Sequence, residues 1–312
     1  MQDGSSAFTE IAVFVNVPDL GLRSSITHIL RNNGVRSVEM GQSLAALVHH
    51  MDEAAPDLII SSVQFPDGDL CPKLLELRHN QWGRNPFVAV MTVVNEPSTD
   101  LVKTVLESGV DDLLVQPVST KQLLDRIGNL AKNRKPFVVT TDYVGPTRRS
   151  GSQVREGSTE VPLIDVPNTL RSKITGEKSG VRLEDAIRAT LTVINEQKVE
   201  RHGVQLAYLA ERIVDPENPD EMIVGSSPLL DKLINVAENT RTRMETTKYA
   251  HTAKLCVSLL EVANNIRDAG DDPASKDLNL LNPVANAIKV GFEDVGSANA
   301  AEEIADTMTK WD

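Results

Sequence analysis

Aromatic side chains are scarce in this sequence: Phe, Trp and Tyr make up 4% of 312 residues. Its cores must therefore be built from aliphatic side chains and alanine. Cysteine is nearly missing too. Cys71 and Cys256 are the two present, too few for a disulfide framework or a cysteine-rich zinc site. No run approaches the roughly 18 apolar residues of a membrane span. The opening MQDGSSAFTE has neither the basic nor the apolar region of a secretory signal. These absences lead us to expect a cytosolic (cytoplasmic) protein. Positive charge is also in deficit, with 32 Lys and Arg against 44 Asp and Glu and a net charge of −12. Gripping nucleic acid requires a cationic surface that displaces counterions from phosphates, so a dedicated DNA-binding module is not expected. What is present, 40% hydrophobic and 24% charged residues, describes a globular chain of about two domains.

Short apolar runs alternate with amphipathic stretches over residues 1–131. The runs are Ile11–Val15, Val35–Met40, Leu58–Ile60, Phe87–Met91 and Leu113–Val115. Each has the Val, Ile, Leu or Phe content of a strand buried on both faces. Helical periodicity marks 20–32, 42–53, 69–80, 97–108 and 119–131. Gly34, Gly41, Pro56, Gly83, Pro86, Gly109 and Pro117 punctuate the units. Five β-α repeats predict an α/β fold, a doubly wound five-stranded parallel sheet, with its ligand sites at the carboxyl ends of the strands.

Residues 132–175 read as a linker that is basic and ordered at first, then flexible. Lys132, Arg134, Lys135, Arg148 and Arg149 lie here, with Asp142 the one acid between 132 and 149. The polar run RRSGSQVREGST follows. Such a basic segment can touch an acidic partner or the chain's own acidic surface, and a solvated linker is the plainer expectation. The net charge is −7 over 1–131, +4 over 132–150 and −9 over 151–312.

From 176 to 312 the strand signal disappears and an all-α helical domain is expected. Leu183–Val214 has helical spacing, and Gly203 is a candidate break. PENP (216–219) reads as a loop. Residues 229–269 contain neither Gly nor Pro and form either one long helix or two meeting near 239–248. Val284–Phe292 and Ala300–Trp311 supply two more helices.

The motifs IAVFVNVPD, PDLIISSVQFPDGD, FVAVMT and LESGVDDLLVQPVSTKQLLDRI occur in this order over about residues 9–131. Together they resemble the receiver domain of bacterial two-component response regulators, the CheY-like fold. The resemblance implies a Mg²⁺-binding acidic pair after the first strand, which here falls on Val15 and Asn16. It implies a phosphoacceptor aspartate at the end of the third strand, where Ser62 stands. Asp57 belongs to the PD that precedes that strand. The lysine position before the fifth-strand proline is Gln116, and the aromatic switch position is Leu113. The hydroxyl after the fourth strand is kept as Thr92.

Phosphoryl transfer to a carboxylate needs the nucleophile, a metal to neutralise charge, and a cation on the transferred oxygens. Three of those parts are missing, so the resemblance implies a degenerate receiver, a pseudo-receiver, with no metal and no cofactor. The plainer roles are a helix cap or turn bond for Thr92, local turn bonding for Asp67 and Asp69, and a small strand end for Ser62.

In the second domain, Ala250, His251, Thr252 and Lys254 faintly resemble the phosphorylatable helix of histidine phosphotransfer domains, although Leu255 replaces the usual small residue. His202 lacks the HD dipeptide and clustered histidines of a metallohydrolase. No phosphate-binding loop, nucleophile elbow or C-x-x-C occurs. Arg241, Arg243 and Lys248 form the best local basic cluster, interrupted by Glu238 and Glu245.

The leading expectation is a non-enzymatic signal-transduction protein. Its pseudo-receiver would be coupled to a helical domain that dimerises or binds a protein partner, with 229–269 the candidate contact. A histidine phosphotransferase acting through His251 and a response regulator controlling transcription are the alternatives. No membrane partner is expected.

Overall fold

The computed structural model describes residues 8–148, 162–177, 180–214, 228–270 and 272–293. The expected loop at 216–219, most of the RRSGSQVREGST run, and the expected helix at 300–311 lie outside these residues. The chain divides into two compact units, Met1–Thr190 and Leu191–Asp312.

In the first unit the strands are β1 (Ala12–Asn16), β2 (Ser37–Gly41), β3 (Leu58–Ser62), β4 (Gln64–Phe65), β5 (Gly68–Asp69), β6 (Ala89–Val94) and β7 (Asp112–Val115). The helices between them are α1 (Leu20–Asn32), α2 (Leu44–Glu53), α3 (Leu70–Arg78), α4 (Thr99–Glu107) and α5 (Thr120–Lys132). The main sheet is parallel, in the order β2-β1-β3-β6-β7. β4 and β5 form a small hairpin beside it. The expected five-stranded sheet is the observed one.

The period of two sorts the side chains between layers. Val13, Val15, Leu58, Ile60, Ala89, Met91 and Leu114 pack with Ile26 and Leu30 of α1 and Leu123 and Ile127 of α5. Phe14, Ile59, Val90 and Val94 face Leu47 and Met51 of α2, Leu74 and Leu77 of α3, and Val105 of α4. Each helix begins on a side chain able to accept from an otherwise unpaired N–H. These caps are Asp19, Ser43, Asp69, Ser98 and Ser119.

The expectation of a linker over 132–175 needs correction at its described parts, 132–148 and 162–175. The segment contains β8 (Phe137–Val139), β9 (Val144–Pro146) and α6 (Thr169–Thr175). Leu170, fully buried, joins the α1–α5 side of the core, and Ile174 packs against it. Burying a leucine contributes about 1.5–3 kcal/mol, a strong reason for the segment to stay on the domain. Lys173 pairs with the buried Asp57 at 2.7 Å.

Arg134 meets an acidic group of the chain itself, one of the contacts expected of the basic segment, while Lys132 and Lys135 are exposed. Arg134 is 5% exposed and binds Asp111, whose side chain is 1% exposed. Arg78, 0% exposed, binds the same carboxylate at 3.0 Å. Asp111 also accepts from the Val90 N–H. The guanidiniums donate further to the carbonyls of Gly109, Pro86, Val88, Phe87 and Pro167. Phe137 lies with its ring centre 5.2 Å and 5.3 Å from their central carbons. Burial pulls the Arg78 pKa down to about 10, and Asp111 opposes that pull. Arg148 donates to the carbonyls of Leu106 and Val110. Arg134 and Arg148 thus bind the receiver-like fold itself.

The second unit is helical. Its helices are α7 (Leu183–Val214, which begins in the first unit), α8 (Pro228–Met244), α9 (Ala253–Ala269) and α10 (Ser275–Glu293). Gly203 does not break α7. A Cβ there would sit 2.5 Å from the ring of Phe292, so glycine allows close packing against α10. Residues 229–269 form two helices, joined by a turn and a short 3-10 segment at Ala250–Thr252.

Asp111→Ala leaves two buried guanidiniums without their carboxylate, and we expect a loss of about 3–5 kcal/mol in urea unfolding of the first unit. Gly203→Ala gains about 1 kcal/mol of helix propensity, but overpacking against Phe292 costs about 1–3 kcal/mol. The net should be a lower melting temperature of the helical unit by calorimetry.

Candidate functional site

At the carboxyl edge of the sheet, Asn16, Ser61, Thr92 and Leu113 stand side by side in register. Residues paired this way project to one face, here the α2–α4 side on which Leu113 packs. Asn16, Ser61 and Thr92 are all 0% exposed. The Asn16 amide donates to the Ser43 carbonyl at 3.0 Å. Its Oδ1 is buried without a partner, as is the Thr92 hydroxyl. Thr92 therefore neither caps a helix nor bonds to a turn amide, contrary to its plainer expected role. The Ser61 hydroxyl turns to the carbonyl of Ser62.

Val15 projects to the opposite layer and belongs to the apolar core there. Ser62 is half-buried at the end of β3. Gln116 follows β7, its backbone N–H bound to the Val94 carbonyl. The structure thus brings Asn16, Ser61, Thr92 and Leu113 into one row. It places Val15 away from that row, and Ser62 and Gln116 at the ends of their strands.

The receiver resemblance implies a Mg²⁺ site here. A hard cation selects carboxylate and carbonyl oxygens. Val15 supplies none, and the Asn16 carbonyl oxygen lies close beside Gly41, 2.5 Å from where a Cβ on that glycine would stand. No group of three or more His, Cys, Asp or Glu could hold a metal among the described residues. The side chains present do not fit the ion.

The neighbouring carboxylates are engaged elsewhere. Asp19 caps α1 through the Leu22 N–H. Asp57 lies at the opposite edge of the sheet, accepting from the Ala12 N–H and Lys173. Asp69 caps α3 through the Cys71 N–H. Asp67 reaches across to α2, where its two oxygens accept from the N–H groups of Leu44 and Ala45, each at 3.0 Å. Those bonds favour its charged form and lower its pKa. The local-bonding role expected of Asp69 holds, whereas Asp67 ties the β4–β5 turn to the start of α2.

In the second unit, His251 lies in the 3-10 segment before α9, which corrects its expected place on a helix. Its Nε2 is buried without a hydrogen-bond partner, whereas a phospho-accepting nitrogen must be reachable by another domain. His202 is 3% exposed, with Nδ1 2.9 Å from the Thr240 hydroxyl. Most apolar residues of 229–269 turn inward, while Val257 is 43% exposed. Leu230, Leu233, Ile234, Ala237, Leu255, Leu259, Val262 and Ile266 form the unit's own core.

Sequence reasoning missed the Asp57–Lys173 pair, whose members are 116 positions apart. It also missed the double pairing of Asp111. The one available signal was a cluster of Arg beside a domain of opposite charge.

Residues 19–128 match the family described as the response regulator receiver domain. The phosphate regulon transcriptional regulatory protein PhoB of Escherichia coli K12 is 29% identical over 118 residues, 38% of this chain and 50% of that protein. PhoB of Klebsiella pneumoniae gives the same figures. The chain spans about half the length of these curated relatives. Among solved structures, chemotaxis protein CheY4 of Vibrio cholerae is 20% identical, covering 38% of this chain and 98% of that one at a TM-score of 0.34. The receiver domain of NarL from Mycobacterium tuberculosis is 18% identical, covering 40% and 98% at a TM-score of 0.36. No described helix is long and apolar enough to cross a membrane.

Asp67→Asn tests the loop tie beside the acceptor position. A lowered folded pKa contributes stability above the unfolded carboxylate range, and that stability is lost as pH falls through the folded value. The variant should melt lower than the parent at neutral pH, and the gap should close on acidification below about pH 4.

Proposed function

Starting from a response regulator receiver domain over residues 19–128, we propose that this is a pseudo-receiver in a two-component signalling protein. In this reading it works as a docking surface and not as a phosphorylation switch. The observation that carries the reading is the hydroxyl of Ser62 where the family places a carboxylate. A serine hydroxyl has no charge to offer a metal. A neutral Gln116 also leaves the transferred oxygens without their cation.

The nearby carboxylates support the same reading. Asp19, Asp67 and Asp69 are bound to helix N-termini, and Asp57 is ion-paired at the far edge. Using any of them as a nucleophile would strip a cap or break a buried pair. The partner-contact surface of the family, built on the fourth helix, fifth strand and fifth helix, is independent of those losses. Here it corresponds to α4, β7 and α5.

The helical unit serves as the partner-binding or dimerising module in this proposal. Among the described residues, the large apolar side chains left exposed on α7 are Val193, Val204, Tyr208 and Val214. Transcriptional control, suggested by the printed function of PhoB, is the second reading. It is disfavoured by the net −9 of residues 151–312, because phosphate contacts need concentrated Lys and Arg. No step in the proposal is enzymatic.

Acetyl phosphate and Mg²⁺ test the central claim. Intact-mass spectrometry should find no phosphorylated species under conditions that label an active receiver. A phosphoryl group mapped to Asp57, Asp67 or Asp69 would overturn it.

A further inference from the structure

We propose that the cleft between the end of α5, the 165–168 loop and α6 binds a small anion bearing two or more phosphate-type charges. The cleft encloses about 400 Å³ and is lined by Lys132, Arg134, Lys135, Asp165, Arg171 and Glu177, among others. That volume lies in the range of small-molecule sites, roughly 300–1,000 Å³. Four cations face two carboxylates, in a chain whose net charge is −12.

The charge is backed from beneath. Arg78 and Arg134 share the single carboxylate of Asp111, so the buried triad carries one positive charge beyond its anion. All the N–H groups of Arg134 are taken by Asp111, Phe87, Val88 and Pro167. It supplies a fixed field and no direct contact. The contacts fall to Lys132 and Lys135, exposed and in no ion pair among the described residues. Arg171 adds to them, since its bond to Glu177 uses Nε alone.

Asp165 and Glu177 set the selectivity. A monoanion gains little against two carboxylates already facing the lining. A multiply charged anion can draw Lys132, Lys135 and the free end of Arg171 together. The cleft is walled by α6, so occupancy would tighten the segment already docked by Leu170 and Lys173.

Isothermal titration of inorganic pyrophosphate into the full chain at constant ionic strength tests this, with Lys132→Ala/Lys135→Ala as the variant. Both lysines are exposed, so the variant should keep the parent's melting temperature. We expect saturable one-to-one binding, weakened about tenfold or more in the variant. Arg171→Ala should weaken it as well. Absence of saturable heat, or equal affinity in parent and double variant, would sink the proposal. So would saturation by an oligo-glutamate peptide without saturation by pyrophosphate, since that outcome marks an acidic protein partner.

Discussion

Asp111 is the residue on which the architecture of the first unit turns. Its carboxylate accepts from Arg78 at the end of α3, from Arg134 beyond α5, and from the backbone of β6. Two buried guanidiniums would be intolerable without it, because charge taken out of water must be paired and hydrogen-bonded. The pairing also decides where the chain goes next. With Arg134 fixed, Phe137 packs against both arginines, β8 and β9 follow, and α6 returns to the α1–α5 layer. A segment that composition marks as solvated becomes part of the domain.

The carboxyl edge of the same sheet shows the opposite economy. The family places concentrated negative charge there, whereas this chain has a row of small neutral groups. Asn16 and Thr92 each keep a buried oxygen without a partner, an unfavourable arrangement in a low-dielectric interior. The fold persists because its stability lies in the two apolar layers and the opposite edge. The two apolar layers hold the scaffold whatever residues stand at the strand ends. The pairs Arg134–Asp111 and Lys173–Asp57 add support away from the carboxyl edge.

Several features were legible in advance. The alternation of apolar runs and amphipathic stretches marked the five strands and five helices, because those patterns are local: a period of two or 3.6 is written in adjacent residues. The residue types at the strand ends, Val15, Asn16, Ser62 and Gln116, were also readable, while the roles given to those positions rest on the resemblance. The single helix through Gly203 was not. Whether glycine breaks a helix or admits a neighbour depends on Phe292, 89 positions away in the chain. The break within 229–269 was left open for a related reason: its polar middle is compatible with a turn or an exposed helix until the two apolar ends are seen to share one core.

By itself, then, the sequence determined the order of elements, the parallel sheet and the residue types at the strand ends. Each depends on residue type at fixed local spacing. Tertiary structure alone decided the fate of the basic segment, the partner of Asp57, the place of His251 and the existence of a cationic cleft beside α6. Those follow from charges and apolar groups that meet only after the chain has folded. Lys173 and Asp57, separated by 116 positions and paired at 2.7 Å, show why: Coulomb attraction acts over distance in space, and sequence spacing does not encode that distance.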